Sequence, residues 1–346
     1  MAQINKPNLY FNTVLYTGDD SSNRGITGVG FQPDLVWNKT RNQAFNHYLF
    51  DSVRGAGQLI FPNDTAAEQD KSAEFISFDS NGFTVTQNAG SLGINWSSGN
   101  YANWCWLGAN GTASNTDGSI TSTVSANTTS GFSIVSYTGT GANATVGHGL
   151  GAVPRMIIVK NRDGVDSWVV QHGSLGAGKA LNLDSTGAVQ TYDPYWNGTE
   201  PTTSVFSIGT DGRTNGSSED FIGYCFAEKQ GFSKFGSYTG NGSTDGIFIY
   251  TGFKPAWFMI KKSSAAGDSW VIIDNTRFPY NYVDKFIYAD EADAESGSAE
   301  RLDILSNGIK LRATHPFINT SGATYIYMAF AENPLVGTNN IPATAR

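Results

Sequence analysis

The feature that most constrains this chain is an internal repeat. A Tyr-Thr-Gly triplet stands at residues 16–18, 137–139 and 238–240, and a proline that opens an apolar strand ending in lysine follows at 33, 154 and 255. Both markers advance by 121 and then by 101 residues. Each copy is therefore about 100 residues long, which is the size of a domain and well above the 20–50 residues of a solenoid unit.

Each copy is predicted to be rich in short antiparallel strands. Brief apolar segments alternate with Gly, Asp and Asn turns, and Asn81-Gly82 and Asn307-Gly308 are signals of tight hairpins, because Asn and Gly tolerate positive φ. This pattern predicts an all-β fold of three tandem antiparallel β-sandwich domains of jelly-roll-like type.

The repeat markers also predict how the chain is divided. The predicted divisions are an N-terminal arm (1–10), a first repeat (11–110), a linker (111–131), a second repeat (132–230), a third repeat (231–333) and a C-terminal tail (334–346). The linker is assigned because its residues are small and polar, and a strand around Ile120 and Val124 is left open as an alternative. We expect each repeat to close its own hydrophobic interior. The tail is too apolar to face only solvent, so we expect it to dock on its own domain or on a neighbouring subunit.

The charge balance and the hydropathy of the chain argue against nucleic-acid and membrane partners. The 30 acidic residues outnumber the 22 basic ones, for a net charge of −8, and no basic cluster offsets this excess, so nucleic-acid binding is disfavoured. No run of about 18 apolar residues is present and the first residues do not resemble a signal peptide, so we expect a soluble product made in a cytoplasm.

Cys105 and Cys225 occupy equivalent positions in two repeats, which predicts burial in separate cores without a disulfide.

Catalytic signals are weak. His47, His148, His172 and His315 lack metal-ligand spacing, the glycine-rich stretch 139–151 precedes no helix that could bind phosphate, and no Gly-x-Ser-x-Gly motif occurs. We therefore expect no enzymatic activity, no catalytic residues, no metal and no cofactor. The acidic loop 290–295 lacks the spacing of a known calcium loop, so a solvated loop is favoured and cation binding is left open.

One aromatic loop is a candidate binding element. Tyr192, Tyr195 and Trp196 lie close together in the second repeat. Tyr and Trp rings can stack on the faces of sugar rings and can also anchor protein interfaces, so these three residues are predicted glycan or ligand contacts. The competing interpretation, that the loop folds back onto its own sandwich, is the favoured one.

Longer motifs extend the pattern: Asn-His-Tyr-Leu-Phe-Asp-Ser-Val-Arg-Gly at 46–55, Phe-Asp-Ser-Asn-Gly-Phe at 78–83, a closing Tyr101-x-x-Trp104-x-Trp106, and the ending 325–334. Together with the triplets and prolines, they resemble an uncharacterised repeat-domain family of structural and tail-associated proteins of tailed bacteriophages, especially marine ones. The likeness covers nearly the whole chain, although the second repeat lacks Asp-Ser-Val-Arg-Gly. It implies a virion context and supplies no catalytic residues.

These observations lead to a hypothesis with two alternatives. The first choice is a structural component of a virion, namely a tail fibre or tail-attached adhesin that contacts the host surface. Its expected partners are other virion proteins, further copies of itself in a homo-oligomer with a trimer as the first guess, and a host-surface glycan. The alternatives are a capsid decoration or stabilising protein and a surface-glycan hydrolase, which would need two carboxylates about 5–10 Å apart in an aromatic cleft.

Overall fold

The computed structural model describes residues 4–87, 92–336 and 344, with the backbone alone at 298–300. A 3₁₀ turn (Pro7–Leu9) precedes the first repeat, which contains β1 (Phe11–Thr17), β2 (Arg24–Thr27), β3 (Leu35–Thr40), β4 (Tyr48–Asp51), β5 (Gln58–Leu59), β6 (Gln69–Asp70), β7 (Phe75–Asp79), β8 (Gly82–Val85) and β9 (Asn100–Trp106). Next come β10 (Ala113–Asn115), β11 (Ser122–Asn127), β12 (Phe132–Thr138), β13 (Ala144–Gly147), β14 (Pro154–Asn161), β15 (Val169–His172), β16 (Lys179–Asn182), β17 (Gln190–Thr191), α1 (Asp193–Trp196), β18 (Val205–Ile208), α2 (Gly212–Asn215) and β19 (Asp220–Ala227). The third repeat contains β20 (Ser233–Thr239), β21 (Phe248–Tyr250), β22 (Phe253–Lys262), β23 (Val271–Asp274), β24 (Val283–Tyr288), β25 (Ser296–Leu305), β26 (Gly308–Leu311), α3 (Pro316–Asn319) and β27 (Thr324–Pro334).

All three repeats use the same inner sheet. Its strand orders are β1-β9-β3-β4, β12-β19-β14-β15 and β20-β27-β22-β23, and the strands are antiparallel throughout. A second layer covers one face of each inner sheet, formed by β2-β8-β7, by β13-β18 and by β25-β26-β21. The predicted all-β antiparallel sandwich fold is confirmed. In the part of the chain that the structure describes, the α-helices are single turns, far too short to cross a bilayer.

The Tyr-Thr-Gly triplet joins the two ends of a repeat. Tyr16 stacks on Tyr101 with ring centroids 4.6 Å apart, and its hydroxyl donates to the Ile94 carbonyl. A Cβ on Gly18 would lie 1.9 Å from the Trp96 carbonyl oxygen, so only glycine lets the two segments approach so closely. Equivalent ring stacks are Tyr137 on Phe221 and Tyr238 on Tyr325. The triplet therefore marks where the first and last strands of each repeat meet.

Both predicted Asn-Gly hairpins are confirmed. They connect β7 to β8 and β25 to β26, where Asp79 pairs with Gly82 and Leu305 with Gly308. A Cβ on Gly82 would lie 1.8 Å from the Ile26 carbonyl oxygen of the neighbouring strand, so glycine is required there by contact as well as by conformation.

Each repeat has its own sandwich core. Cys105 lies in the core of the first repeat and Cys225 in that of the second, and both thiols are free and buried. The prediction of separate cores without a disulfide is therefore confirmed. The third repeat has an equivalent core that includes Phe258, Ile260 and Tyr325.

The expectation that the repeats close only separate interiors needs correction, because a fourth core is shared by all three. The opposite faces of the inner sheets meet there and bring together Trp106, Phe226, Trp257 and Phe330. The Trp106 ring lies 6.4 Å from Phe226 of the second repeat and 5.8 Å from Trp257 of the third. The remaining void is about 20 Å³, so the centre is close-packed. Each inner sheet is thus buried on both faces.

Equivalent hydrogen bonds close the three repeats into a ring. The Trp168 Nε1 of the second repeat donates to Phe61 O of the first at 2.8 Å, and Trp270 Nε1 of the third donates to Asn182 O of the second at 2.9 Å. The first repeat has His47 at this position, and its Nε2 donates to Tyr288 O of the third at 2.9 Å. The repeats therefore surround a pseudo-threefold axis.

Two of the predicted connecting segments are built into this body. The segment predicted as a linker (111–131) contains β10 and β11, and β11 pairs with β12, so tertiary pairing prevails over a composition typical of a linker. In the N-terminal arm, Ile4 is buried in the shared core. Most of the predicted tail, residues 337–343 and 345–346, lies outside the described residues.

Candidate functional site

The lysines that end the proline-opened strands are structural. Lys39, Lys160 and Lys261 are fully buried, and burial lowers the pKa of each to about 8. Backbone carbonyls surround the ammonium groups, including one from a neighbouring repeat in two cases. Lys39 Nζ donates to Ala292 O at 3.0 Å, and Lys160 Nζ donates to Thr65 O at 2.9 Å. Lys39 and Lys160 therefore hold loops of adjacent repeats together, whereas Lys261 donates to Asp268 O of its own repeat.

The Asp-Ser-Val-Arg-Gly motif forms a second junction. The Arg54 side chain is fully buried and pairs with Asp51 at 2.5 Å and with Glu68 at 2.9 Å. Glu68 in turn binds Arg162 of the second repeat at 2.7 Å, and the Tyr224 hydroxyl of that repeat donates to Asp51 at 2.7 Å. The third repeat reproduces the cluster with Arg277, Asp274, Glu295 and Arg41. These charges join repeats and are not directed at a ligand.

The second repeat lacks this motif because a histidine replaces the aspartate. His172 Nδ1 accepts the Ser174 N–H at 3.1 Å, and Nε2 donates to Tyr327 O of the third repeat at 3.1 Å. Burial lowers the pKa of His172 to about 4, so the imidazole is neutral at pH 7. One neutral ring thus replaces the ion-pair cluster.

The acidic loop 290–295 packs into the junctions instead of forming the solvated loop favoured from the sequence. Burial raises the pKa of Asp290 to about 6, and its Oδ1 accepts the Trp270 N–H at 2.8 Å. Glu295 pairs with Arg41 and Arg277. Within the described ranges, no group of three or more His, Cys, Asp or Glu side chains is arranged to hold a metal ion.

The predicted glycan loop needs correction at two of its three residues. Trp196 is fully buried in the core of the second repeat, and Tyr195 is 2% exposed, with its hydroxyl bonded to Arg213. Neither ring can stack on a ligand. Tyr192 is 42% exposed and packs edge-on against Tyr195 at 4.7 Å. The loop folds back through α1, as in the alternative considered from the sequence.

A different aromatic surface is present on the third repeat. Phe248, Tyr250, Tyr280 and Tyr282 are between 43% and 80% exposed. Phe248 and Tyr250 flank the buried Ile249 on β21, so both point away from the sandwich core. In the described chain, the other aromatic ring of comparable exposure is Tyr192.

The other two repeats have small residues at the equivalent positions. The buried pairs Ile26–Phe83, Val146–Phe206 and Ile249–Ile309 align the three strands. In this alignment, Phe248 replaces Gly25 and Thr145, and Tyr250 replaces Thr27 and Gly147. The same scaffold thus carries exposed rings in the third repeat only.

The second pair of tyrosines lies across the same sheet. Asn281, between Tyr280 and Tyr282, exchanges two hydrogen bonds of 2.9 Å with the backbone of Ile304 on β25. Ile304 pairs with Ile309, which pairs with Ile249 on β21. Three strand spacings therefore separate the two ends of this strip, a distance of roughly 14 Å.

Charged side chains lie between the aromatic pairs. Arg301 stacks on Tyr282 at 4.7 Å from the ring centroid, Arg312 pairs with Asp303 at 2.6 Å, and Lys310 pairs with Asp245 at 2.7 Å. We refer to this surface as the third-repeat outer face, comprising Phe248, Tyr250, Tyr280, Tyr282, Arg301, Asp303, Lys310 and Arg312. Exposed rings beside planar hydrogen-bonding groups can stack on and hydrogen-bond a sugar chain or a protein surface.

This face could not be recognised from the sequence of β21 alone, because Phe and Tyr are common in strands whether the ring is buried or exposed. The alignment of the three repeats could have revealed Phe248 and Tyr250. In it, two aromatic rings replace Gly and Thr on either side of a position that is Ile or Val in every repeat. The Tyr192 loop stands out in the sequence instead, because its three aromatic residues lie close together along the chain.

Comparison with known proteins gives one family. A family model described as a domain of unknown function, DUF7483, matches residues 6–334. No curated protein matches the sequence. The matched span includes all three repeats, in agreement with their shared core. The chain therefore belongs to the family of domains of unknown function DUF7483.

Proposed function

We propose that this protein is a structural component of a bacteriophage virion, a tail fibre or tail-attached adhesin that contacts the host surface through the third-repeat outer face. The virion context comes from the resemblance in the repeat motifs. The observation that carries the adhesive role is the set of exposed aromatic and charged side chains on one repeat of an otherwise equivalent set of three.

The architecture suits a passive scaffold. Four hydrophobic cores and the charged junctions hold the repeats as one body, so a surface residue is presented on rigid strands. Weak contacts to a host glycan would gain apparent affinity if many copies were displayed together, because later contacts form at high effective concentration. A symmetric homo-oligomer, with a trimer as first choice, would provide that display.

The ligand role is tested by giving the third repeat the residues of the first. The variant Phe248→Gly/Tyr250→Thr removes both rings without touching the sandwich core. We expect at least a tenfold loss of binding to immobilised host-envelope polysaccharide, measured by biolayer interferometry. Tyr192→Ala is the matched control, since it removes an exposed ring from another repeat, and it should bind normally. Equal binding by all three proteins would refute a ligand role for this face.

Location in the particle is tested separately by immunogold labelling of purified virions. Gold at the tail supports the proposal, whereas gold over the head would favour a capsid decoration protein. The hydrolase alternative predicts release of reducing ends from envelope polysaccharide. Asp303, the carboxylate at the centre of the face, is engaged by Arg312 on an open sheet surface, and this geometry suits binding better than acid–base chemistry.

A further inference from the structure

Two arginines of the third-repeat outer face lie directly opposite each other on neighbouring strands. The Arg312 N–H donates to Arg301 O at 2.7 Å, and the next pair along the two strands, Leu302 with Leu311, is buried in the sandwich core. Because side chains alternate between the two faces of a sheet, both arginine side chains point outward, and both residues are exposed. The Cα atoms of such a hydrogen-bonded pair are about 5.5 Å apart, so two cationic side chains leave the sheet as close neighbours.

The charge of this pair is compensated at one arginine only. Arg312 pairs with Asp303 at 2.6 Å, whereas the Arg301 guanidinium lies on the Tyr282 ring, 4.7 Å from its centroid. Among the described residues, no carboxylate forms a salt bridge with Arg301. Like charges directly opposite each other destabilise an antiparallel pair. An anion that contacts both arginines would relieve this repulsion.

The first repeat uses the equivalent positions inside its own fold. There the Thr86 N–H donates to Glu74 O at 2.8 Å, so Glu74 takes the place of Arg301 and Thr86 that of Arg312. The neighbouring buried pairs that fix this alignment are Phe75–Val85 and Leu302–Leu311. Glu74 is buried, and its carboxylate accepts the Leu92 N–H at 2.7 Å. The first repeat therefore covers the site with its own chain.

The second repeat covers the position of Arg312 with α1. Phe206 aligns with Ile309, so Gly209, three residues further on, aligns with Arg312. A Cβ on Gly209 would lie 2.2 Å from the Pro194 carbonyl oxygen, so this position has no room for a side chain. Of the three repeats, the third is the one with an exposed cation here.

The arginine pair lies beside the exposed rings. Phe248 pairs with Lys310, and Arg312 is two residues further along the same strand, so the Cα atoms of Phe248 and Arg312 are roughly 8 Å apart. On the other side of the pair, Tyr282 is in contact with Arg301. A chain of a few sugars therefore reaches both the rings and the guanidinium groups.

Given the adhesive role proposed above, on which this step depends, we propose that the third-repeat outer face binds an acidic saccharide. Arg301 and Arg312 hold a carboxylate or phosphate group of the sugar chain, while a sugar ring stacks on Phe248 or Tyr250. Guanidinium groups bind both kinds of anion through paired N–H donors, which fix the orientation of the anion as well as its charge. The protein carries a net charge of −8, so its surface as a whole does not attract polyanions and the recognition is local to this face.

The test uses the full-length protein and host-envelope polysaccharide in three forms: native, with its carboxylates reduced to alcohols, and with its phosphates removed. Biolayer interferometry measures binding at low and at high NaCl. One of the two treatments should weaken wild-type binding at least tenfold, and that treatment identifies the anion. Arg301→Gln/Arg312→Gln should bind the native form at least tenfold more weakly and respond less to salt. Arg155→Gln, which removes an exposed arginine from the second repeat, should bind like the wild type.

Two results would overturn the acidic ligand: wild-type binding that neither treatment weakens, and normal binding by Arg301→Gln/Arg312→Gln. In either case, loss of binding by Phe248→Gly/Tyr250→Thr would leave the adhesive role standing. Absence of wild-type binding to all three forms would refute the role and the ligand class together. Arg301→Gln alone keeps the test valid if the double variant fails to fold, because it breaks no salt bridge between described residues. It should weaken binding several-fold, and normal binding would count against the acidic ligand in the same way.

Discussion

Replacing Arg54 by methionine is the sharpest test of how the repeats are joined. The Arg54 guanidinium is fully buried and donates to Asp51, to Glu68 and to the carbonyls of Gln58 and Leu49 at distances of 2.5 to 3.1 Å. Methionine preserves much of the volume of the side chain but leaves the buried Asp51 carboxylate without its cation.

The expected cost follows from that uncompensated charge. Breaking a buried ion pair by removing one partner costs about 3–5 kcal/mol, whereas replacing both partners by apolar residues is often close to neutral. Arg54→Met should therefore lower the free energy of unfolding by about 3–5 kcal/mol. The double variant Arg54→Met/Asp51→Leu should recover part of this loss, but not all of it, because the Tyr224 hydroxyl loses its acceptor.

Urea denaturation gives the measurement. The eight tryptophans report unfolding by fluorescence, and circular dichroism provides a second probe of the same transition. Because the shared core links the repeats, both probes should move together in wild type and variant. A loss below about 1 kcal/mol for Arg54→Met, or a double variant less stable than the single one, would refute the assignment of a buried, mutually dependent cluster.

Three further predictions follow from the buried groups and the exposed face. Burial lowers the pKa of Lys160 to about 8 in the folded state, so between pH 8 and 10.5 the unfolded chain binds a proton that the folded chain has released. The free energy of unfolding should therefore rise with pH in this range. Lys160→Met should reduce that rise by up to about 1.4 kcal/mol per pH unit, measured by urea denaturation at several pH values. Burial lowers the pKa of His47 well below its ordinary value, so the unfolded chain binds the extra proton below pH 6.5 and stability falls on acidification. Asp290 opposes this trend, because its raised pKa adds stability as the pH falls below 6. The test is therefore the difference between wild type and His47→Gln, and the variant should lose less free energy of unfolding on acidification. Phe248→Gly/Tyr250→Thr should shift the urea midpoint little, because both rings are exposed; a large shift would mean that the rings support the fold instead of presenting a surface.

Local structure was predictable wherever a short pattern dictates it. The Asn-Gly hairpins, the strands and the separate burial of Cys105 and Cys225 all depend on neighbouring residues or on the comparison of repeats. The shared core had a signal too. In β9, Trp104 and Trp106 alternate with Cys105, so both faces of the strand are apolar, which is typical of a strand buried on both sides.

Contacts between distant residues were not predictable from the same patterns. The acidic loop 290–295 looks solvated in the sequence because its partner Arg41 lies more than 250 residues earlier. The segment 111–131 looks like a linker because small polar residues are common in linkers. Ile120 and Val124 left a strand open as an alternative, and the edge of β12 is what pairs with that strand. Tyr195 and Trp196 are candidates for an exposed loop because loop aromatics often are exposed, and only the structure shows that the adjoining sandwich provides a core for them.

The differences among the repeats are therefore more informative about function than their similarities. What the repeats share, namely the tyrosine stacks, the buried lysines and the closing hydrogen bonds, keeps one body together and needs no ligand. A residue that breaks the pattern must either be compensated inside the fold or face outward. His172 is of the first kind, because it makes a junction of its own. Phe248 and Tyr250 are of the second kind, since their rings are 43% and 56% exposed on the outer side of β21. In a chain of three equivalent units, those are the positions at which contact with other molecules should be sought first.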